Sequence, residues 1–279
     1  MYEYSVDSVK NITPSTLLLT LQKDEGERIF PFLPGQYAAI SFYRHRRPTA
    51  ARCFSVVSSP TTQDKLQFSM RAKGHYTKAI AGLQKGDKVK VRGPFGGFVL
   101  NQSDDVNAVF LAGGIGITPF MSMATYAAAV QSKLNITLLY SCQNQEDVPF
   151  LSELKDLEKK NPSFKVIFIL GEGPSDKLSG ERVVSGRITP ELLDEVTSHK
   201  YFEKYFYICG PPPFMKAMVA TLQSKGATKH HIITEAFAQG SHRQTGKIKS
   251  WPYNIYALSA VGLALGSFTV MVSDIFNIL

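Results

Sequence analysis

Two short segments of this chain set glycine and proline at the end of an apolar run: Leu111 to Met121, LAGGIGITPFM, and Tyr207 to Met215, YICGPPPFM. Each reads as a strand that breaks and then enters a helical pattern. That arrangement suits a nucleotide crossing the carboxyl edge of a parallel sheet. Gly113, Gly114 and Gly116 let the backbone come close to a pyrophosphate, and a helix starting near Thr118-Pro119 aims free N–H groups at its charge. The spacing is GGxG and not GxGxxG, so a plain strand-to-helix turn fits the first segment alone equally well. Earlier, Arg52-Cys53-Phe54-Ser55 follows the basic loop Arg44-His45-Arg46-Arg47. In a strand, Arg52 and Phe54 share a face, where a guanidinium can grip a phosphate and a ring can support a planar heterocycle. A solvated surface arginine and a core phenylalanine are the plainer alternatives. Gly74-His75-Tyr76-Thr77 opens a helix and offers a hydroxyl and backbone N–H groups to a second phosphate.

Two kinds of architecture must carry these residues. Up to about residue 101, short β-type runs alternate with turn signals. The runs are Thr16–Leu21, Tyr37–Phe42, Cys53–Val57, Leu66–Arg71 and Lys88–Arg92; the breakers include Pro34-Gly35, Ser59-Pro60 and Gly93-Pro94. This spacing predicts a closed antiparallel barrel, with one helix over Tyr76–Leu83. From Val106 the rhythm becomes strand–helix–strand, which predicts a parallel, doubly wound α/β sheet. Its strands are Ala108–Ala112, Ile136–Tyr140, Lys165–Leu170 and Tyr205–Cys209, with helices such as Phe120–Leu134 and Phe150–Lys160 between them. The expected division is a barrel domain over 1–101, a nucleotide-binding domain over 102–239, and a basic linker with an apolar tail over 240–279.

Composition excludes several classes. Three cysteines in 279 residues, Cys53, Cys142 and Cys209, are too few and too scattered for a disulfide framework or an iron–sulfur cluster, and no metal site is expected. The net charge of +8 invites a nucleic-acid reading, but the basic residues form no stripe with interleaved aromatics. The amino-terminal MYEYSVDSVK lacks the apolar core of a signal peptide, so the folded part is expected in the cytoplasm. The other end differs. Ser250 to Ser273 carries no charge over 24 residues, enough for a helix of about 36 Å across a hydrocarbon core of about 30 Å. Trp251, Tyr253 and Tyr256 sit where an interfacial belt would, and Lys247 and Lys249 lie just outside. A single-pass anchor with a cytoplasmic amino-terminal side is the expectation; a buried core helix is the alternative, weakened by the lack of any polar face.

Taken in order, the motifs resemble those of the ferredoxin–NADP reductase superfamily of flavin-dependent pyridine-nucleotide oxidoreductases, over about residues 3 to 238. Pro34-Gly35-Gln36-Tyr37 looks like the strand before the flavin loop, Arg52-Cys53-Phe54-Ser55 like the RxYS flavin motif, and Gly113 to Pro119 like the pyridine-nucleotide phosphate loop. Cys209-Gly210-Pro211-Pro212 looks like the CGPP motif beside the nicotinamide, and Thr234-Glu235-Ala236-Phe237 like the terminal acid and aromatic that close over the flavin. Phe54 stands where the family has tyrosine; the stacking face is kept and the phenolic hydroxyl lost. After the strand ending in Tyr140, no arginine greets a 2′-phosphate, and Glu146 and Asp147 are near. That tilts the expectation to NADH, although Lys177, Arg182 and Arg187 on a later loop could serve NADPH.

The resemblance implies bound FAD, with NADH or NADPH as co-substrate. Arg52 and Gly74, Tyr76 and Thr77 would neutralise the flavin phosphates, and Phe54 and Phe237 would stack. The nucleotide would lie over Gly113–Thr118, with Gly210 and Pro211 shaping the ring's approach. Ser55, Cys209 and Glu235 would be the catalytic set, although a buried apolar thiol and a surface acid are the plain alternatives for the last two. Hydride would pass from nicotinamide to flavin and electrons onward to a separate, membrane-associated acceptor. The alternatives are an electron-input module or fragment of a larger ferric, haem or quinone reductase, and a non-catalytic flavin or nucleotide redox sensor.

Overall fold

Alternation of side chains builds the first half. Along β7 (Lys88–Phe95), Val89 and Val91 are fully buried while Lys88 and Arg92 face water. The computed structural model describes residues 1–23, 27–44, 47–101, 107–172, 178 and 180–236. The other strands of this half are β1 (Tyr2–Thr13), β2 (Thr16–Gln22), β3 (Tyr37–Arg44), β4 (Arg47–Pro48), β5 (Arg52–Ser55) and β6 (Lys65–Arg71). They pair antiparallel in the order β4-β3-β7-β1-β2-β6, with β5 on the other side of β3. Val56, just past β5, bridges Phe68 of β6, and the Val57 N–H donates to the Gln67 carbonyl at 2.9 Å. Those contacts close the barrel around Leu19, Leu21, Ile40, Phe68, Val89 and Val91. The expected strand Cys53–Val57 thus starts one residue earlier and ends as a single bridge. The helix α1 (His75–Ala81) stops before the expected Leu83 because Gly82 caps it.

The second half is a six-stranded sheet in the order β11-β10-β9-β8-β12-β13, every neighbour parallel. Its strands are β8 (Asn107–Gly113), β9 (Asn135–Cys142), β10 (Phe164–Leu170), β11 (Val183–Ser185), β12 (Lys204–Cys209) and β13 (Ile232–Glu235). Four helices connect them: α2 (Thr118–Ala129), α3 (Leu151–Lys160), α4 (Pro190–Thr197) and α5 (Pro212–Ser224). Helix α2 ends short of the expected Leu134. Gln131 takes a left-handed φ of 52°, and the Ser132 N–H folds back to the Ala127 carbonyl at 2.9 Å. From β8 the chain runs outward through β9 and β10 on one side and returns through β12 and β13 on the other. The crevice between the ends of β8 and β12 is therefore the topological switch point, where such sheets take ligands.

One apolar cluster spans the two halves, and all described residues belong to one compact unit. Phe98 leaves the barrel and packs edge-on to Phe120 and Tyr207, each 5.7 Å away between ring centres, with Phe110 stacked 4.7 Å from Phe120. The Asn101 N–H donates to the Tyr207 hydroxyl at 2.9 Å, and the Ser122 hydroxyl donates to the Ser58 carbonyl at 2.8 Å. Ile12 and Leu18, on the outer face of the β1–β2 hairpin, pack against the same cluster. Among the described residues no helix is long and apolar enough to cross a membrane, and the expected span at 250–273 lies outside them.

Candidate functional site

At the switch point the two glycine segments press on one another. A Cβ on Gly116 would stand 2.2 Å from the Cys209 carbonyl oxygen, a distance no side chain tolerates. A Cβ on Gly210 would meet Phe214 at 2.8 Å, and one on Gly113 would meet Phe214 at 3.0 Å and Pro211 at 3.1 Å. Gly114 takes a left-handed φ of 54° and starts the 3-10 turn Gly114–Ile117 that leads into α2. Thr118 and Pro119, expected at the phosphate, are buried, and the Thr118 hydroxyl donates back to the Ile115 carbonyl at 3.1 Å. They fix the turn. What the site offers an anion is the amino end of α2, which no side chain caps.

Sequence reasoning missed a cation here. Arg71, the last residue of β6, brings its guanidinium Nη2 to 3.4 Å from where a Cβ on Gly114 would be. Nothing in its neighbourhood along the chain signals this, because the contact crosses from barrel to sheet. Two expected candidates fall differently. The Arg182 guanidinium pairs with Glu195 of α4. It precedes β11 and lies level with the middle of β10, not at the nucleotide edge. Arg187 is exposed beyond the carboxyl end of β11, and Lys177 lies outside the described residues. At the carboxyl ends of β9 and β10, the Gln143 side chain donates to the Glu172 carboxylate at 3.4 Å.

On the barrel side, β5 pairs Arg52 with Ile40 and Phe54 with Ala38, so the two side chains do share a face. Both rest on Tyr76: the Arg52 guanidinium lies 4.9 Å above its ring, and the Phe54 ring stacks on it at 6.2 Å. The phenol is spoken for. It is buried, it donates to the Ile40 carbonyl, and burial pushes its pKa up to about 12. Tyr76 is therefore the platform under the arginine and the phenylalanine and offers no hydroxyl to a phosphate. Thr77 is also buried and its hydroxyl turns to the Gly74 carbonyl at 3.4 Å. Gly74 itself, at φ 98°, faces open space. Arg52 stays exposed and available.

Between these regions Tyr37 of the barrel and Glu235 of the sheet meet at Gly96. The register sets Cys209 beside Glu235 at the carboxyl ends of β12 and β13, and Ser55 beside Tyr37 in the barrel. Gly96 joins the groups: its Cβ would meet the Tyr37 ring at 2.9 Å and a Glu235 carboxylate oxygen at 3.5 Å. Burial raises the Glu235 carboxyl to about 8, and burial with the Glu235 charge beside it lifts the Cys209 thiol well above the usual range. The Ser55 hydroxyl and Glu235 Oε2 are buried without a partner among the described residues. Each such group costs about 1–3 kcal/mol if left unmet. A ligand rich in hydrogen-bonding atoms would suit each of them. The residues fit a flavin ring. Phe237, the expected closing aromatic, lies outside the described residues.

The pattern of the oxidoreductase FAD-binding domain matches residues 3–100, and that of the oxidoreductase NAD-binding domain matches residues 110–220. The chain is 30% identical over 242 residues to the sulfhydrogenase 2 subunit gamma of Pyrococcus furiosus, covering 83% of this chain and 81% of that one. It is 27% identical to the propane 2-monooxygenase reductase component of Mycolicibacterium smegmatis, covering 83% of this chain and 66% of the relative. Its fold matches a ferredoxin NADP+ reductase from Neisseria gonorrhoeae solved with bound FAD and NADP, with a TM-score of 0.71, 23% identity, and coverage of 85% and 98%. With both domain patterns matched in order and a relative aligned over most of its length, the chain belongs to the oxidoreductases built of an FAD-binding and an NAD-binding domain, has a ferredoxin reductase-like fold and is an NAD(P)H-dependent flavoprotein.

Proposed function

We propose that this enzyme takes hydride from NADH onto FAD and delivers the electrons to a separate acceptor at a membrane, to which residues 250–273 tether it with the catalytic part in the cytoplasm. The observation that carries the reading is the meeting of Tyr37, the register partner of Ser55, with Glu235, the register partner of Cys209, at Gly96. The bound flavin supplies the exchange between a two-electron donor and acceptors of one or two electrons. The protein holds and orients. Arg52 and the turn at Gly74 would hold the flavin phosphates, and Phe54, braced on Tyr76, would support the ring. Ser55 would offer its buried hydroxyl to the flavin, and Cys209, at the end of β12, would help orient the nicotinamide. With its carboxyl raised to about 8, Glu235 is protonated at neutral pH and can donate a hydrogen bond.

The acid at the ends of β9 and β10 favours NADH: Glu172 would repel a 2′-phosphate, and Arg182 is turned away. Relatives described as a subunit and as a reductase component support an acceptor on another polypeptide. Residues 1–101 and 102–239 serve as the flavin and nucleotide domains in this reading. The test is anaerobic reduction with NADH and with NADPH, followed by reoxidation with a quinone, a haem protein and a ferric chelate. Faster bleaching by NADPH would sink the nucleotide assignment. Failure of every nucleotide to bleach the flavin would sink the reductase reading.

A further inference from the structure

Asp147, in the loop after β9, has a carboxylate gripped from the barrel. The Ser15 hydroxyl donates to Oδ1 at 2.6 Å and the Thr13 hydroxyl donates to the same oxygen at 3.2 Å. Thr13 ends β1 and Ser15 lies in the turn to β2. The loop is held from its own side as well, since the Asp147 N–H donates to the Asn144 side chain at 3.0 Å. The second carboxylate oxygen faces Arg71, whose Nη1 stands 3.8 Å away. The same guanidinium turns its other nitrogen, Nη2, over Gly114. One edge of the arginine fork therefore faces Asp147 as an ion pair while the other overhangs the phosphate turn.

We propose that Asp147 is a positioning residue: clasped by Ser15 and Thr13, it holds Arg71 over the Gly114 turn so that the guanidinium meets the nucleotide's pyrophosphate already oriented. This rests on the reading that the Gly114 turn takes that pyrophosphate. Arginine has a long stem, and the Arg71 side chain is 42% exposed, so without an anchor it spreads over many rotamers. Asp147 removes that freedom before the nucleotide arrives, which is where preorganisation gains affinity. The pyrophosphate does not react. Its grip is equal in the ground and transition states, so it sets affinity and leaves the hydride step alone. The barrel hairpin thereby tunes nucleotide binding in the other half through one carboxylate.

The experiment is stopped-flow flavin reduction of the full-length flavoprotein over a range of NADH, in wild type, Arg71→Ala, Asp147→Ala, Ser15→Ala, Gly116→Ala and the double variant Arg71→Ala/Asp147→Ala. Arg71→Ala should weaken NADH about tenfold, as loss of a charge-assisted phosphate contact does. Asp147→Ala should weaken it about fivefold and Ser15→Ala about twofold, with the limiting reduction rate within about twofold of wild type. In the Arg71→Ala background, Asp147→Ala should add nothing, because the carboxylate acts through the arginine. A full, additive effect in that background would overturn the proposal, as would an Asp147→Ala protein with unaltered NADH affinity. So would a limiting rate that falls in step with thermal stability, which would mark a purely structural clasp. Unaltered affinity in both Arg71→Ala and Gly116→Ala would sink the reading of the turn itself, and the clasp with it. Weakened affinity in those two beside a neutral Asp147→Ala would sink the clasp alone.

Discussion

A guanidinium laid on a tyrosine ring loses little when it exchanges water for a phosphate, and Arg52 on Tyr76 is so placed. Replacing Arg52 with alanine should strip FAD from the purified protein, read as a fall in the flavin-to-protein absorbance ratio. The flavin-free fold should lose no more than about 1 kcal/mol, since the residue is exposed and leaves no cavity. Unchanged occupancy would remove Arg52 from the site. Glu235 gives a pH signature. Its folded pKa of about 8 lies above the ordinary 4.5, so the folded protein holds a proton that the unfolded chain releases across that interval. The stability this contributes is complete below about pH 4.5 and is lost as the pH rises through about 8. Thermal unfolding of Glu235→Gln against wild type, both flavin-free, should show a flatter decline over that window; parallel curves would mean the carboxyl titrates normally. The sequence displayed Ser55, Cys209 and Glu235 because each stands in a short motif at a strand end. It hid the roles of Tyr76, Arg71 and Arg182, since each is decided by a partner distant in the chain: Ile40, Gly114 and Glu195.

Strand ends, more than any single side chain, set the distance between the two nucleotide loops. Gly116→Ala puts a methyl group 2.2 Å from the Cys209 carbonyl oxygen, so β8 and β12 or their loops must part. The expected cost is about 2 kcal/mol or more in unfolding free energy, with slower flavin reduction because Cys209 moves. Denaturant unfolding and stopped-flow reduction on one preparation check both; a variant unchanged in either would show that the loops relax freely. Most elements were legible from glycine and proline breakers and from apolar runs. The first strand was not, and its backbone explains why. Irregular register at Val6/Ser8 and Asn11/Thr13 interrupts the two-residue alternation that marks a strand. Helix α2 was overextended for the opposite reason: apolar residues continue past Ala129 while the chain has already turned at Gln131.

For the molecule as a whole, the proposed tether makes a prediction about fractionation. Removing everything after about Gln239 should yield a soluble flavoprotein that still oxidises NADH with an artificial dye. Turnover with a lipid-soluble or membrane-bound acceptor should fall, because tethering raises the local concentration of that partner. Carbonate-washed membranes carrying the full-length chain decide it: intact protein in the wash would end the anchor reading. The continuous core set by Phe98, Phe110, Phe120 and Tyr207 bears on a different undertaking, the recombination of reductases by exchanging halves. Family halves look interchangeable on paper, with a seam near residue 101. Here the seam runs through a cluster of packed rings, and a cut there would bring Phe98 from one fragment and Phe110, Phe120 and Tyr207 from the other into water. A chimera that keeps residues 98–101 with the sheet they pack against, and that matches the hairpin face of Ile12 and Leu18, inherits a finished joint; one cut by sequence alone inherits two exposed apolar faces.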